Sequence, residues 1–488
     1  MLKTGIPNLD LILGGGIPKG DVLLVVGAAG TGKTTLALQI VFNVASQGQN
    51  ALYISTTSEA PPRLVRHVRS FSFYEEALIW KKVFIASIYP LIKQGLEQAA
   101  DAVVQAAKEH SAALLIIDGL MTLRDLHPGP SELRTFIYDL GATLTALDCT
   151  TVIISSEAQP GGEHVYPEFT VADAIINLGK QDIGTQTIRT IRIGKVRGQA
   201  PLLGQHSLTI DRRGITVFPR IESVSVSLDK GLSPKKVPTG LSELDAMMSG
   251  GPSVGSITLL AGALGTGKTL IGLHYLAEGV RRGEKSLMVG FRESPHLLID
   301  KARPLGIDLE AAIKTGLVTI LHRLPVDLVA DEVTWEVWEQ VQRLAPQRLM
   351  LDSVSEMEHA VSEERRRGYM AALAEQLRNR GVSSLITRET SQVVGPELDF
   401  SDTPLAVLVE NLVMLRYVEF RSELYRIISI LKMRDSDYDR SIRQYIITKQ
   451  GLQVLAPMET GEGILTGIAR LPSEMRVKRQ TRRPEGGP

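Results

Sequence analysis

An eight-residue pattern occurs twice in this chain, 235 positions apart, and it constrains the fold more than any other feature. The copies read Gly27-Ala28-Ala29-Gly30-Thr31-Gly32-Lys33-Thr34 and Gly262-Ala263-Leu264-Gly265-Thr266-Gly267-Lys268-Thr269. Each follows an apolar run, Val22 to Val26 or Ile257 to Ala261. Each then leads into a helical pattern, Leu36-Ala37-Leu38 or Leu270-Ile271-Gly272-Leu273. In a strand–loop–helix context, G-x-x-x-x-G-K-[ST] closes backbone N–H groups around phosphate oxygens, and the helix N-terminus adds partial positive charge. The pattern therefore predicts two nucleotide sites. Gly27, Gly30, Thr31, Gly32, Lys33, Thr34 and Thr35 form the first. Gly262, Gly265, Thr266, Gly267, Lys268, Thr269 and Leu270 form the second. Lys33 and Lys268 are expected to reach the β- and γ-phosphates, and the Thr34 and Thr269 hydroxyls to hold Mg²⁺.

Similarity extends well beyond these loops. Thr4-Gly5-Ile6, Leu9-Asp10 and Gly15-Gly16 recur as Thr239-Gly240-Leu241, Leu244-Asp245 and Gly250-Gly251. Later, Lys195-Val196-Arg197 recurs as Lys432-Met433-Arg434, and Gly214-Ile215-Thr216-Val217 as Gly451-Leu452-Gln453-Val454. Such a period describes a duplicated domain, not a short-repeat solenoid. The expected organisation is a domain at 1–225, a linker at 226–238, a second domain at 239–456 and a flexible tail at 457–488. The linker reading rests on charges, Gly and two prolines between Asp229 and Pro238.

Within each copy, apolar runs alternate with helical segments. Ala51 to Ile54, Leu114 to Asp118 and Thr151 to Ile154 read as buried strands; Ser286 to Val289, Leu349 to Asp352 and Ser384 to Ile386 are their counterparts. Helices are expected near Pro62 to Phe71 and Leu96 to Glu109. The fold class is α/β, each domain a mostly parallel sheet covered by helices on both faces. Thr187 to Lys195 and Tyr425 to Lys432 alternate more strongly and predict added edge strands.

Several polar residues stand at recurring places. Asp118 and Asp352 end apolar strands, where a carboxylate can face Mg²⁺ at the carboxyl edge of the sheet. Glu59 and Glu293 follow the second strand, positioned to orient the attacking water or take its proton; an acid favoured by a helix N-terminus is the plainer account. Lys195 with Arg197, and Lys432 with Arg434, fall two apart on late strands and so share a face. Recurrence favours a γ-phosphate sensor delivered to a neighbouring subunit over a solvated edge. Glu157 and Glu389 are read as following the next core strand, either holding a Mg²⁺-bound water or serving the fold.

Composition narrows the partners. Lys plus Arg equals Asp plus Glu, 54 against 54, so the whole chain has no electrostatic footprint for nucleic acid or an anionic membrane. Cys149 is the single cysteine, which excludes an intramolecular disulfide, and its apolar surroundings predict a buried thiol. With no long apolar stretch and no signal-peptide pattern after Met1, the cytoplasm is the expected compartment.

Taken together, these residues resemble the RecA-type ATPases, and specifically the KaiC-like family with tandem ATPase domains. The resemblance covers roughly residues 1–470, including Gly463-Ile464-Leu465-Thr466-Gly467 near the end. It implies two RecA-like P-loop domains, ATP and Mg²⁺ as cofactors, and a homo-hexameric ring with ATP at subunit boundaries. The Lys195/Arg197 and Lys432/Arg434 pairs would enter from the neighbour. Two departures stand out. Clock members carry a Glu-Glu pair after the second strand, where this chain has Ser58-Glu59 and Arg292-Glu293. Their adjacent Ser-Thr phosphorylation pair falls here among Leu405, Ala406 and Val407, with Ser401 and Thr403 displaced.

The expected function is that of an ATP-binding, slowly hydrolysing ring ATPase, a nucleotide-state switch for protein partners. Three alternatives compete with it: a nucleic-acid motor or recombinase, a clock-type autokinase, and a scaffold without turnover. A DNA-holding pore should be basic. Glu157 to Glu168 and Glu389 to Asp402 carry acids and no Lys or Arg, and Arg365-Arg366-Arg367 follows Glu363-Glu364 in a stretch that reads as a solvated helix start. The tail has Arg470, Arg476, Lys478, Arg479, Arg482 and Arg483, a disordered end or a tether to an acidic partner.

Overall fold

The computed structural model describes residues 1–56, 61–126, 130–156, 167–183, 186–224, 233–390, 404–420, 423–434, 436–448 and 451–457. The chain divides into two compact units, Met1–Val224 and Ser225–Pro488. In the first unit the strands are β1 (Val22–Gly27), β2 (Asn50–Ser55), β3 (Val83–Ser87), β4 (Ala112–Asp118), β5 (Thr150–Ser156), β6 (Ala174–Ile183), β7 (Gln186–Val196), β8 (Gln205–Asp211) and β9 (Gly214–Phe218). They form one sheet in the order β3-β2-β4-β5-β1-β6-β7-β8-β9. Pairing is parallel from β3 through β6 and antiparallel from β6 to β9.

The parallel half follows from its sequence. Every residue of β1 is buried, which needs cover on both faces. Leu23 and Val25 pack on one side with Leu36, Ile40 and Val44 of the helix Lys33–Ser46. Val22, Leu24 and Val26 point the other way, to Val103 of the helix Leu96–Glu109 and Phe136 and Leu140 of the helix Pro130–Ala146. Period-two side chains thus divide one strand between two cores. Burying each Leu or Val fully contributes about 1.5–3 kcal/mol.

The second unit repeats the plan. Its strands are β10 (Ser233–Lys236), β11 (Ser253–Val254), β12 (Ile257–Gly262), β13 (Ser286–Gly290), β14 (Val318–His322), β15 (Arg348–Asp352), β16 (Ser383–Glu389), β17 (Asn411–Phe420), β18 (Glu423–Met433), β19 (Arg443–Thr448) and β20 (Gly451–Pro457). The main sheet runs β14-β13-β15-β16-β12-β17-β18-β19-β20, the same order position for position. β10 pairs with β11, so Ser233–Lys236, within the stretch read as linker, is a strand of this unit. The expected edge strands are present as β7 to β9 and β18 to β20.

The Thr-Gly and Leu-Asp motifs ahead of each loop have a structural reason. Asp10 Oδ1 accepts from the Thr4 backbone N–H (3.1 Å) and hydroxyl (2.8 Å). Asp245 Oδ1 does the same for Thr239, at 2.6 and 2.8 Å. Both threonines are buried, so each turn is closed by a satisfied polar cluster.

Candidate active sites

Both glycine-rich loops leave the carboxyl end of the central strand and open a helix, Lys33–Ser46 or Lys268–Arg281. Gly32 and Gly267 precede those helices with φ of 106° and 91°, left-handed backbone that a side chain would strain. The first glycine has another duty. A Cβ on Gly262 would lie 2.6 Å from the Leu415 carbonyl oxygen, and one on Gly27 would collide with that of Leu178. Only glycine therefore lets each loop begin this close to the adjoining strand.

Lys33 Nζ donates to the carbonyls of Gly27 (2.6 Å) and Ala28 (2.9 Å). Lys268 Nζ donates to those of Gly262 (2.7 Å) and Ala263 (2.9 Å). Each ammonium thus lies curled over its own loop, where phosphate oxygens can replace the carbonyls. Burial holds Lys268 below the usual lysine range, with Glu389 and Asp352 opposing that shift.

The Thr34 hydroxyl donates to Asp118 Oδ2 at 3.2 Å and the Thr269 hydroxyl to Asp352 Oδ2 at 2.7 Å. Among the described residues no cluster of three or more His, Cys, Asp or Glu could cage a metal. A hydroxyl beside one carboxylate suits Mg²⁺, which takes its remaining ligands from phosphates and water. The donor set fits the predicted ion. Sequence reasoning missed the residues that steady these carboxylates: Tyr53 donates to Asp118 Oδ2, and Thr387 to Asp352 Oδ1. A lone Tyr or Thr inside an apolar strand gives no local signal.

In the second unit a cavity of about 480 Å³ is lined by Lys268, Thr269, Arg292, Glu293, Lys301 and Asp352, among others. Glu293 lies in it, paired with Lys301 (2.5 Å), while its Oε2 is buried without a partner. Glu59 lies outside the described residues. The register pairs Ser55 with Asp118 and Gly290 with Asp352, which puts Glu59 four residues beyond its strand and Glu293 three. The two are near-equivalents, not equivalents. Glu389 is the last residue of β16 instead of following it, and pairs with Gly262, whereas Gly27 pairs with Ser156. Glu157, outside the described residues, is one position further on.

The basic pairs are not at their own loops. Lys195 is level with Ile175 of β6, and Ile175 with Leu24, three residues before Gly27. Lys432, Leu412 and Leu259 stand in the same relation to Gly262. Three residues are about 10 Å of strand, directed away from the carboxyl edge. A β-bulge immediately precedes the lysine in both units, re-aiming this strand end. Lys195 Nζ donates to Phe169 O (3.2 Å) and Lys432 Nζ to Val407 O (2.9 Å). Arg197 is mostly exposed and pairs with Asp173 at 3.0 Å.

One sequence reading is revised by a charge on another helix. Arg365 is only partly exposed: its guanidinium pairs with the buried Asp331 at 3.0 Å, and Arg366 donates to Glu358 O. That basic run offers little to a phosphate backbone. Leu405 and Ala406 are buried and Val407 is exposed, in the short helix Pro404–Leu408; Ser401 and Thr403 lie outside the described residues. Among the described residues no helix is long and apolar enough to cross a membrane.

Two doubly covered sheets, each with a P-loop and a strand-ending aspartate, define tandem RecA-like P-loop ATPase domains. The family model for the KaiC ATPase matches residues 2–222 and again 237–459, and the chain belongs to that family. It is 28% identical over 477 residues to the circadian clock oscillator protein KaiC of a Picosynechococcus species, covering 96% of this chain and 92% of that one. The KaiC of Thermostichus vulcanus is 29% identical over 492 residues, 98% of this chain and 93% of the relative. The circadian clock protein KaiC3 of a Synechocystis species is 28% identical over 494 residues, 98% and 96%. The chain is thus an ATP-binding ATPase.

Proposed function

We propose that this ATPase works as a six-membered ring of identical copies, hydrolyses ATP slowly, and presents its nucleotide state to protein partners. The observation that carries the ring is the placement of Lys195/Arg197 and Lys432/Arg434. Both pairs stand toward the sheet edge opposite their own P-loop, so a second copy is the natural recipient of their charge. Lys33 and Lys268 bind the β- and γ-phosphates in place of the loop carbonyls. Thr34 with Asp118, and Thr269 with Asp352, hold Mg²⁺, which when bound neutralises charge on the phosphates. Glu59 and Glu293 orient the attacking water. Thr35 and Leu270, next along the helix, complete the loop's approach to the nucleotide.

Protein partners are favoured over nucleic acid because the total charge is balanced and Arg365 is committed to Asp331. Steady-state ATP hydrolysis with and without single-stranded DNA tests this, with the Lys33→Ala, Lys268→Ala double variant as the blank. Slow turnover indifferent to DNA is expected. Strong stimulation by DNA would overturn the switch in favour of a motor.

A further inference from the structure

The two nucleotide sites differ in one respect that the shared motifs conceal. In the second unit both glutamates near the phosphate loop are already bound by cations of the same chain. Glu293 is held by Lys301 at 2.5 Å. Glu389 is held by Arg292, whose NH1 donates to Oε2 at 2.6 Å. Arg292 Nε donates in turn to Glu356 at 2.7 Å, so the guanidinium is anchored from two sides. Arg292, Glu293, Lys301 and Glu389 all line the same cavity with Lys268 and Asp352.

The first unit has none of these charges at the matching places. Thr57 and Ser58 stand where Arg292 and Glu293 do, counted from the strand ends Ser55 and Gly290. Ser156 matches Glu389 through the pairing of each with the first loop glycine. His67 takes the place of Lys301 in helices of equal length, Pro61–Val68 and Pro295–Ala302. Thr122 lies as far past Asp118 as Glu356 does past Asp352. Among the described residues the clamp is therefore a feature of the C-terminal site.

We infer that Arg292 is a restraining, positioning residue of the C-terminal site: by holding Glu389 it keeps a carboxylate from the water beside the bound phosphates and slows hydrolysis there. This rests on the nucleotide-site reading above. A carboxylate accepts the attacking water's proton as water bonds to the γ-phosphorus and the bond to the departing ADP oxygen breaks, and a carboxylate already charge-paired with a guanidinium is a poorer acceptor. Arg292 is half exposed, so the clamp is reversible by rotation of its side chain. Its reach into the cavity offers a competing role, direct contact with phosphate, which the test separates.

The full-length chain carrying Lys33→Ala confines turnover to the C-terminal site. Adding Arg292→Gln is expected to raise its kcat about tenfold, a part of what a freed general base supplies. KM for ATP, and affinity for ADP titrated without divalent cation, stay within about twofold, since phosphate contacts are untouched. Arg292→Lys keeps the charge and stays near the parent rate, while Glu356→Gln loosens one anchor and gives a smaller rise. A lower or unchanged kcat in Arg292→Gln overturns the inference. So does an ADP affinity weakened more than about fivefold, which makes Arg292 a phosphate ligand instead. If the Lys33→Ala, Lys268→Ala chain hydrolyses ATP like the unmodified protein, the nucleotide-site reading itself has failed, a distinct result.

Discussion

Cys149 shows how one side chain's chemistry is set by its position. It is 1% exposed, at the start of the approach to β5, and burial pushes its thiol up to about 12. At pH 8 the thiolate fraction is then roughly one in ten thousand, and the thiolate is the reactive species. A thiol-specific chromogenic reagent should react negligibly with the native protein over an hour and completely in denaturant. Prompt labelling without denaturant would place the thiol in a different environment. Glu293 is the opposite kind of residue, at the cavity instead of the core. Glu59→Gln with Glu293→Gln is expected to lower ATP turnover about 10²-fold while nucleotide binding persists. An unchanged rate would move the base elsewhere, Glu389 first.

At the scale of elements, the helix after each loop packs against the last strand of its sheet, β9 or β20. In the second unit His274 of the helix Lys268–Arg281 lies against the start of β20, where a Cβ on Gly451 would meet its Nε2 at 2.9 Å. Burial first, and the nearby Arg281 second, lower the His274 pKa below 6.5. The unfolded chain then binds more protons than the folded one between the two values, so stability is full above about pH 6.5 and falls as pH drops through that window. Urea midpoints should decrease from pH 7.5 to 5.5, and His274→Gln should flatten that slope. An equally steep slope in the variant would assign the effect to other groups. The same element shows what sequence could and could not reveal. Both loop-and-helix units, the central strands and Asp118 and Asp352 were legible, because local spacing alone dictates them. β3, β14 and the linker strand β10 were not. β10 is short and polar, and gains its identity by pairing with β11. Thr4 and Asp10 looked like a family signature, and the structure makes them a buried hydrogen-bonded turn. Arg292 looked like the loss of a glutamate; its bonds to Glu356 and Glu389 depend on residues 64 and 97 positions away, which no local pattern encodes.

For the whole molecule, the decisive question is whether a site is finished by its own copy or by the next. Each subunit carries its phosphate loop toward one edge of the sheet and its Lys-x-Arg pair toward the other, in both units. A ring satisfies that polarity, since a head-to-tail interface repeats one loop-to-cation contact around a closed circle. Two inactive variants distinguish the cases. One carries Lys33→Ala and Lys268→Ala, with intact basic pairs. The other carries Lys195→Ala, Arg197→Ala, Lys432→Ala and Arg434→Ala, with intact loops. Mixed in equal amounts under conditions that let subunits exchange, random rings place an intact loop against an intact pair at about a quarter of the boundaries, so hydrolysis should recover to roughly that fraction of the unmodified rate. Recovery should depend on the mixing ratio and vanish when either variant is in large excess. If the pairs served their own subunit, no boundary in the mixture would hold a complete site, and activity would stay at the blank. A flat blank across all ratios, with subunit exchange verified by labelled copies, would return the basic pairs to a structural role.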